Sequence, residues 1–399
     1  MVFCNPVRTE YTRLLYLPRK EWEELLSWLD TSGLALYFLG RVEEAGLLNT
    51  LPRFVVARLQ KNLVDNTQRM EEMIAESTSL QRRFQEAGLS YAVLKGFSLW
   101  PISVPKPELR SQLDLDFLVA DECINEARRI LEDAGYRLNA QDAKNLDFKA
   151  NEGRTISLKD MYKAGRVRSA ELHKEHRFAG RSSLLARTET VCFGGIPTPV
   201  LAPLDLFLGQ GLHLFKHICL PYWRAAHMIE FRRHVIARYD DPAFWNDLEE
   251  HVAGHAQTCI RLGVAILVIT RVMGPFAPEA LMRWTADQVP PRAKLWVDLY
   301  ARRTALAAFP GNKLYLLLEK ELEGTGVPPK RSPWLVLVPR RLPPFIMHAV
   351  AGETLARRLN RYYRQFGFLV FRLRFHILEG IRYFCESILW RQCRNGVSR

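Results

Sequence analysis

The stretch LRSQLDLDFLV, residues 109–119, decides how the rest of the chain is read. Its second half alternates as a strand does, so Leu113, Leu115 and Phe117 share one face and Asp114 and Asp116 the other. Two explanations suit a pair of carboxylates on one strand face. The face is simply wet, as on an ordinary half-buried strand, or it holds a cation. Asp is disfavoured in strands and neighbouring like charges repel, and a hard divalent ion such as Mg²⁺ removes that repulsion while also accepting substrate phosphates. Two ions held this way clamp the attacking and leaving oxygens of a phosphoryl-type transfer. Such a site needs a third carboxylate from a neighbouring strand, and Glu171 in AELHKEHRF (170–178) is the candidate. Glu175 lies beyond the expected strand and is the weaker choice. His173 is read as facing away from Glu171 and packing, and His176 is left unassigned.

The same chemistry needs a grip on phosphate. LKGFS (94–98) offers a cation at Lys95, close backbone approach at Gly96 and a hydroxyl at Ser98. Arg110, four residues before Asp114, is a further phosphate candidate. Read alone, Lys-Gly after a strand is an ordinary turn, and a surface arginine is commonly just solvated.

Outward from this centre, residues 21 to about 88 carry apolar residues at helical spacing, with Gly88 as a stop signal and no evident chemistry. SYAVLKG begins a different texture. A helix follows LDLDFLV, with Asp121 as its cap, Ile124, Ala127, Ile130, Leu131 and Ala134 as its buried stripe and Gly135 as its end. TISLKD (155–160), VRSAELH (167–173) and TVCFGG (190–195) read as strands. The expected fold class is α+β, a small mixed sheet flanked by helical regions. The expected regions are 1–88 helical, 89–200 the α+β core, 201–325 helical again, and 326–399 a basic, aromatic-rich helical tail.

The chain has 399 residues, enough for two to three domains at about 150 residues each. Its net charge of +13 is concentrated, since residues 335–399 hold 12 Arg and 3 Glu with no Lys or Asp, a net of +9. A tail of that sign favours an acidic partner: anionic lipid, nucleic acid or another protein. Seven dispersed cysteines without a CxxC pair suggest reduced thiols and a cytoplasmic location. The N-terminus lacks a signal-peptide core, and no apolar run is read as spanning a bilayer. In 361–394 the wheel gathers Arg361, Arg364, Arg372, Glu379, Arg382 and Glu386 into a narrow arc. So apolar a helix must bury itself, in an anionic membrane interface or against protein, and the frequency of core helices favours protein. Gly367 and Gly380 are expected to break it. His213 with His217, and His251 with His255, each lie four apart without the Glu of an HExxH motif, which favours packing or surface roles over metal binding.

Taken together, Leu94-Lys95-Gly96, Arg110, Asp114-x-Asp116, Leu118-Val119, Ala134-Gly135-Tyr136 and Glu171-Leu172-His173 resemble the bacterial uncharacterised nucleotidyltransferase family of the DNA-polymerase-β-like superfamily. The His213/His217 helix also looks like the one that follows the core in that family. The resemblance covers roughly residues 20–325 and is most specific over 90–220. It implies a nucleotidyltransferase core in which Asp114, Asp116 and Glu171 are catalytic and bind Mg²⁺, two ions in number with Mn²⁺ as a substitute, while Lys95, Gly96 and Ser98 cradle the nucleotide. Two departures stand out: Lys-Gly replaces the superfamily's Gly-Ser phosphate motif, and the third carboxylate is Glu instead of Asp. The implied reaction is attack by an acceptor on the α-phosphate of an NTP. The implied acceptors are a small molecule or glycan, through a link to surface-polysaccharide biosynthesis, or RNA or protein. The alternative is a catalytically silent nucleotide- or partner-binding protein, attached through 335–399 to a partner or to the inner face of a membrane.

Overall fold

In the computed structural model, residue 3 and residues 9–150, 161–163, 168–175, 183–328, 332–339, 342–343 and 353–396 are described. The expected strand at 155–160, and His176, lie outside them. The chain divides into two compact units, Met1–Gln210 and Gly211–Arg399.

The first unit is built on a mixed sheet whose strands are β1 (Tyr91–Leu94), β2 (Leu115–Val119), β3 (Arg137–Gln141), β4 (Asn145–Lys149), β5 (Ser169–Lys174), β6 (Thr188–Phe193) and β7 (Ile196–Leu201). Among the described residues their spatial order is β3-β4-β5-β2-β1-β7-β6. The LDLDFLV strand is therefore central, antiparallel to β1 and parallel to β5. β3 and β4 were not anticipated. The β6–β7 hairpin closes through Gly194 and Gly195, both at positive φ, as a two-residue turn of this hand requires.

Helices α1 (Arg19–Thr31), α2 (Ala35–Glu44) and α3 (Arg53–Glu86) precede the sheet, and α4 (Ile124–Asp133) follows β2. α4 enters through a short 3-10 turn at Asp121–Cys123, with no side-chain cap at Cys123. α3 is not remote from the sheet. Its Met70, Leu80 and Phe84 pack into one core with Leu115, Phe117 and Val119 of β2 and Ala170 and Leu172 of β5. The period of two sends Asp116 and Leu118 to the opposite face, where Leu118 meets Ala92 and Leu201. Leu115 and Phe117 thus point where the alternation said, while Leu113, ahead of the strand, is only half-buried; the Asp116 carboxylate is not in water, since Asp116 is 5% exposed.

The second unit is helical: α5 (Pro203–Ile218, which begins in the first unit), α6 (Ala226–Ala237), α7 (Pro242–His251), α8 (Ala256–Met273), α9 (Glu279–Trp284), α10 (Pro291–Ala305), α11 (Tyr315–Leu322), α12 (Pro333–Leu337) and α13 (Leu355–Gly396). By length and composition α8 could cross a membrane. Leu262, Val264, Ala265, Ile266 and Ile269 on it are fully buried, as in a core helix.

α13 departs from expectation twice. It runs unbroken through Gly367 and Gly380, since an interior glycine weakens a helix by about 1 kcal/mol without ending it. Part of its charged stripe is also turned inward, with Arg364 and Arg382 exposed. Arg361, Gln365 and Glu379 are buried, and Glu386 accepts from Arg303 Nη1 at 2.6 Å and the Tyr300 hydroxyl at 3.2 Å. Meanwhile Tyr363, Phe366, Ile381 and Phe384 are each at least 60% exposed. Its apolar residues are self-packed only in part: Trp390 is buried beside Tyr300 and Phe371 stacks on Phe309, while those just named face outward. The charged stripe is held because each buried ion has a partner: Arg361 pairs with Glu353, and Glu379 with Arg382.

Phe117 is the aromatic keystone of the first unit, meeting Phe84 edge-on at 5.2 Å between centroids. Phe117→Ala should lower the unfolding free energy by about 3–5 kcal/mol, read from urea unfolding followed by far-UV circular dichroism. A loss below about 1 kcal/mol would contradict its place in the core.

Candidate active site

The parallel register of β2 and β5 sets Asp116 directly beside Glu171. The antiparallel register of β4 and β5 sets Asp147 on the other side of Glu171. Three neighbouring strands therefore present a row of carboxylates at one level. His173 stands two residues along β5 from Glu171, so the two share a face, contrary to the sequence expectation. The period of two that aligns Asp114 with Asp116 applies equally to 171 and 173. His173 Nε2 lies 2.8 Å from Asp116 Oδ1 and 3.3 Å from Glu171 Oε2. Lys95 Nζ donates to the same Asp116 oxygen at 2.7 Å.

Asp116, Glu171 and His173 bring their ligand atoms within 4.8 Å of one another, a spacing suited to a metal ion. Electrostatics follow from this packing. Burial alone would raise the Asp116 carboxyl, but Lys95 and the hydrogen bond from His173 bring it down to about 2. Burial alone would depress both cations, yet Asp116 lifts Lys95 above its ordinary value, with Asp114 and Glu171 adding to the field. Hydrogen bonds to Asp116 and Glu171 likewise raise the His173 imidazole. The set is a buried anion held between a lysine ammonium and an imidazole.

The backbone that delivers Lys95 is unusual. Lys95 has φ 49° and ψ −151°, a region nearly reserved for glycine. Gly96 follows at φ 40°. The strained turn is tied by Ser98, whose amide and hydroxyl both donate to the Lys95 carbonyl at 2.8 Å. The Ser98 proton is therefore spent inside the turn and not aimed at an external phosphate. Gly96 also does a job other than the expected approach to phosphate: a Cβ there would lie 2.3 Å from Gln112 Nε2. That buried amide donates to the Asp114 carbonyl at 3.0 Å and accepts from Arg110 Nη1 at 3.3 Å. Arg110 is in turn held through its carbonyl, which accepts from Asn66 Nδ2 of α3 at 3.0 Å.

A cleft of about 270 Å³ opens beside the row, lined among others by Arg69 and Glu72 of α3, Asp114, Asp147, Lys149 and Glu171. Asp114 stands at this cleft just ahead of β2, outside the tight trio. Glu175 is excluded from the site, since its buried carboxylate accepts from the Ser183 hydroxyl at 2.7 and 2.8 Å and from the Leu185 amide at 2.9 Å. Sequence reasoning missed His173 and Asp147. The first was legible from its spacing to Glu171. The second sits in NLDFK (145–149), a short alternating run that only strand pairing singles out.

Residues 18–267 match the family described as "Uncharacterised nucleotidyltransferase". No curated protein matches the sequence. Among solved structures, the chain is similar to the adenylyltransferase ANT(2")-Ia in complex with adenylyl-2"-tobramycin, at 11% identity over 46% of this chain and 99% of that one, TM-score 0.33. It is similar to an antigenic nucleotidyltransferase-like protein from Paracoccidioides brasiliensis, at 12% identity over 49% and 92%, TM-score 0.31. It is also similar to the lincosamide antibiotic adenylyltransferase LnuA bound to lincomycin, at 12% identity over 33% and 81%, TM-score 0.24. Likenesses this shallow leave the family match to assign the chain.

Gly96→Ala should destabilise the protein by about 1–3 kcal/mol, from positive φ plus displacement of Gln112. Adding Gln112→Ala should cost less than the sum of the two single changes, because the clash is then gone. Denaturant unfolding of the four proteins checks this, and strict additivity would deny the contact.

Proposed function

From the chain's membership of the uncharacterised nucleotidyltransferase family, and hence its place among nucleotidyl-transfer enzymes, we propose that it moves an NMP unit from an NTP to an acceptor hydroxyl or phosphate, using Asp114, Asp116 and Glu171 with Mg²⁺. The observation that carries this reading is the adjacency of Asp116 and Glu171 across β2 and β5, with Lys95 at hand. The donor set fits a divalent ion: two carboxylates and an imidazole within reach of one centre, and a further carboxylate at the cleft. Bound Mg²⁺, or Mn²⁺ in its place, would supply neutralisation of the triphosphate and of the charge that develops on the departing pyrophosphate.

The chain's own residues do the rest. Lys95 rests on Asp116 and moves its ammonium to phosphate when nucleotide enters. His173 keeps Asp116 ionised and oriented. Glu171, half-buried and one strand over, takes the acceptor's proton as the acceptor oxygen bonds to the α-phosphorus and the bond to the β-phosphate oxygen breaks. Arg110, anchored by Gln112 and Asn66, is a phosphate contact in this reading; Gly96 and Ser98 act by shaping the turn that presents Lys95. The acceptor in this reading is a small molecule or glycan, of the kind used in surface-polysaccharide assembly, with RNA or protein as the other outcomes of the labelling test below. A second reading, nucleotide binding without turnover, is favoured by the Lys95–Asp116 ion pair, which already occupies the metal-facing carboxylate.

Purified protein with α-labelled NTPs, Mg²⁺ or Mn²⁺ and a cell extract separates the two. Asp116→Asn and Glu171→Gln should each reduce label transfer by at least about 100-fold while the fold, read by circular dichroism, persists. Nucleotide binding with no transfer by the unmodified protein supports the silent reading. Undiminished transfer by Asp116→Asn sinks the proposed site.

We also propose that the protein lies on the cytoplasmic face of an anionic membrane through α12 and α13. Support comes from the outward apolar side of α13, from a largely apolar groove of about 950 Å³ lined by Trp334, Leu337, Leu373, Ile377 and Phe384 among others, and from the net +9 of the tail, whose sign suits acidic headgroups. Flotation with phosphatidylserine vesicles should carry the full chain but not one carrying Phe366→Asp and Phe384→Asp. Binding that ignores both substitutions would rule out this face.

A further inference from the structure

The strongest unassigned feature lies in the second unit. His213 and His217 are one turn apart on α5, which puts both on one face, and His227 stands in the first turn of α6. The three rings gather with centroids 4.4, 4.8 and 5.2 Å apart. One nitrogen from each lies within 4.8 Å of the others. Tetrahedral coordination at a zinc–nitrogen distance of about 2.0–2.1 Å needs nitrogens about 3.4 Å apart, a contraction that small ring rotations supply.

The surroundings suit a metal better than a stacked cluster alone. Glu230, three residues along α6, is 2% exposed, and its Oε2 is 3.7 Å from His227 Nδ1. At 3.7 Å this is an ion-pair approach and not a hydrogen bond; closed by a few tenths of an ångström on metal binding, it would fix the His227 tautomer and leave the other nitrogen as a ligand, the arrangement that orients metal-bound histidines. His227 is buried while His213 and His217 are half-buried, so solvent reaches two of the three rings. An all-imidazole set favours zinc, nickel or copper over Mg²⁺, so this centre differs in chemistry from the carboxylate row on the sheet.

We propose that His213, His217 and His227 bind one transition-metal dication, Zn²⁺ by chemistry, with Glu230 positioning His227. This does not depend on the transferase reading.

The test uses the full chain without a histidine tag, stripped with chelator and titrated with Zn²⁺ by calorimetry, with metal content after dialysis measured by plasma mass spectrometry. One tightly held zinc per chain is expected. His217→Ala should weaken binding at least 100-fold, and Glu230→Gln about 10–100-fold, as loss of an orienting partner does. Asp116→Asn with Glu171→Gln should leave this zinc in place. Co²⁺ should give the intense visible absorption of a tetrahedral site, lost in His217→Ala. Should His217→Ala fail to fold, His213→Gln replaces it, and the cobalt spectrum of the unmodified protein stands by itself. Equal zinc content in folded histidine variants, loss of zinc on changing Asp116 and Glu171 instead, or an octahedral cobalt spectrum would overturn the proposal.

Discussion

A carboxylate at Asp116 buried in the middle of a sheet is the constraint on which the first unit turns. Taking an ionised group out of water costs several kcal/mol unless opposite charge replaces the solvent, and Glu171, one strand away, adds repulsion. Lys95 and His173 resolve both, meeting on one oxygen of Asp116. Much of the local backbone serves this clasp. Lys95 reaches it from a positive-φ conformation, which Ser98 ties down and Gly96 extends. Gly96 in turn makes room for the Gln112 amide that holds the approach to β2.

The sheet converts this local chemistry into a site because strand pairing fixes register. Parallel pairing of β2 with β5 places Asp116 and Glu171 abreast, and a slip of one residue would turn Glu171 into the apolar core. That register is enforced from the other face, where α3 buries Met70, Leu80 and Phe84 against Phe117 and Leu172. α3 also sends Arg69 and Glu72 to the cleft, so a helix without catalytic motifs still shapes the entrance.

The second unit solves the problem of buried charge differently. Along α13, Arg361 and Glu379 are buried with ion-pair partners, while several arginines and most of the large apolar side chains face outward. Under the membrane proposal, an apolar layer would cover its outward leucines and acidic headgroups would meet its exposed arginines. At α5 and α6 the buried Glu230 carboxylate sits beside His227, again a polar pair within an apolar bundle.

The alternation of LDLDFLV, with Glu171 in a later strand-like run, made the centre of the fold and two of its carboxylates legible, because a period of two is a local property of the chain. The same rule held the place of His173, which went unread. Asp147 could not be found so. Its membership of the row comes from β4 pairing with β5, a long-range contact with no local signature. Likewise the wheel of α13 showed a narrow charged stripe, but the wheel is symmetric with respect to inside and outside. Sequence by itself thus determined which residues share a face, since that follows from backbone geometry over a few residues. Tertiary structure alone decided which face is dry, which carboxylates stand abreast and that Lys95 closes on Asp116, since burial and register depend on segments far apart in the chain.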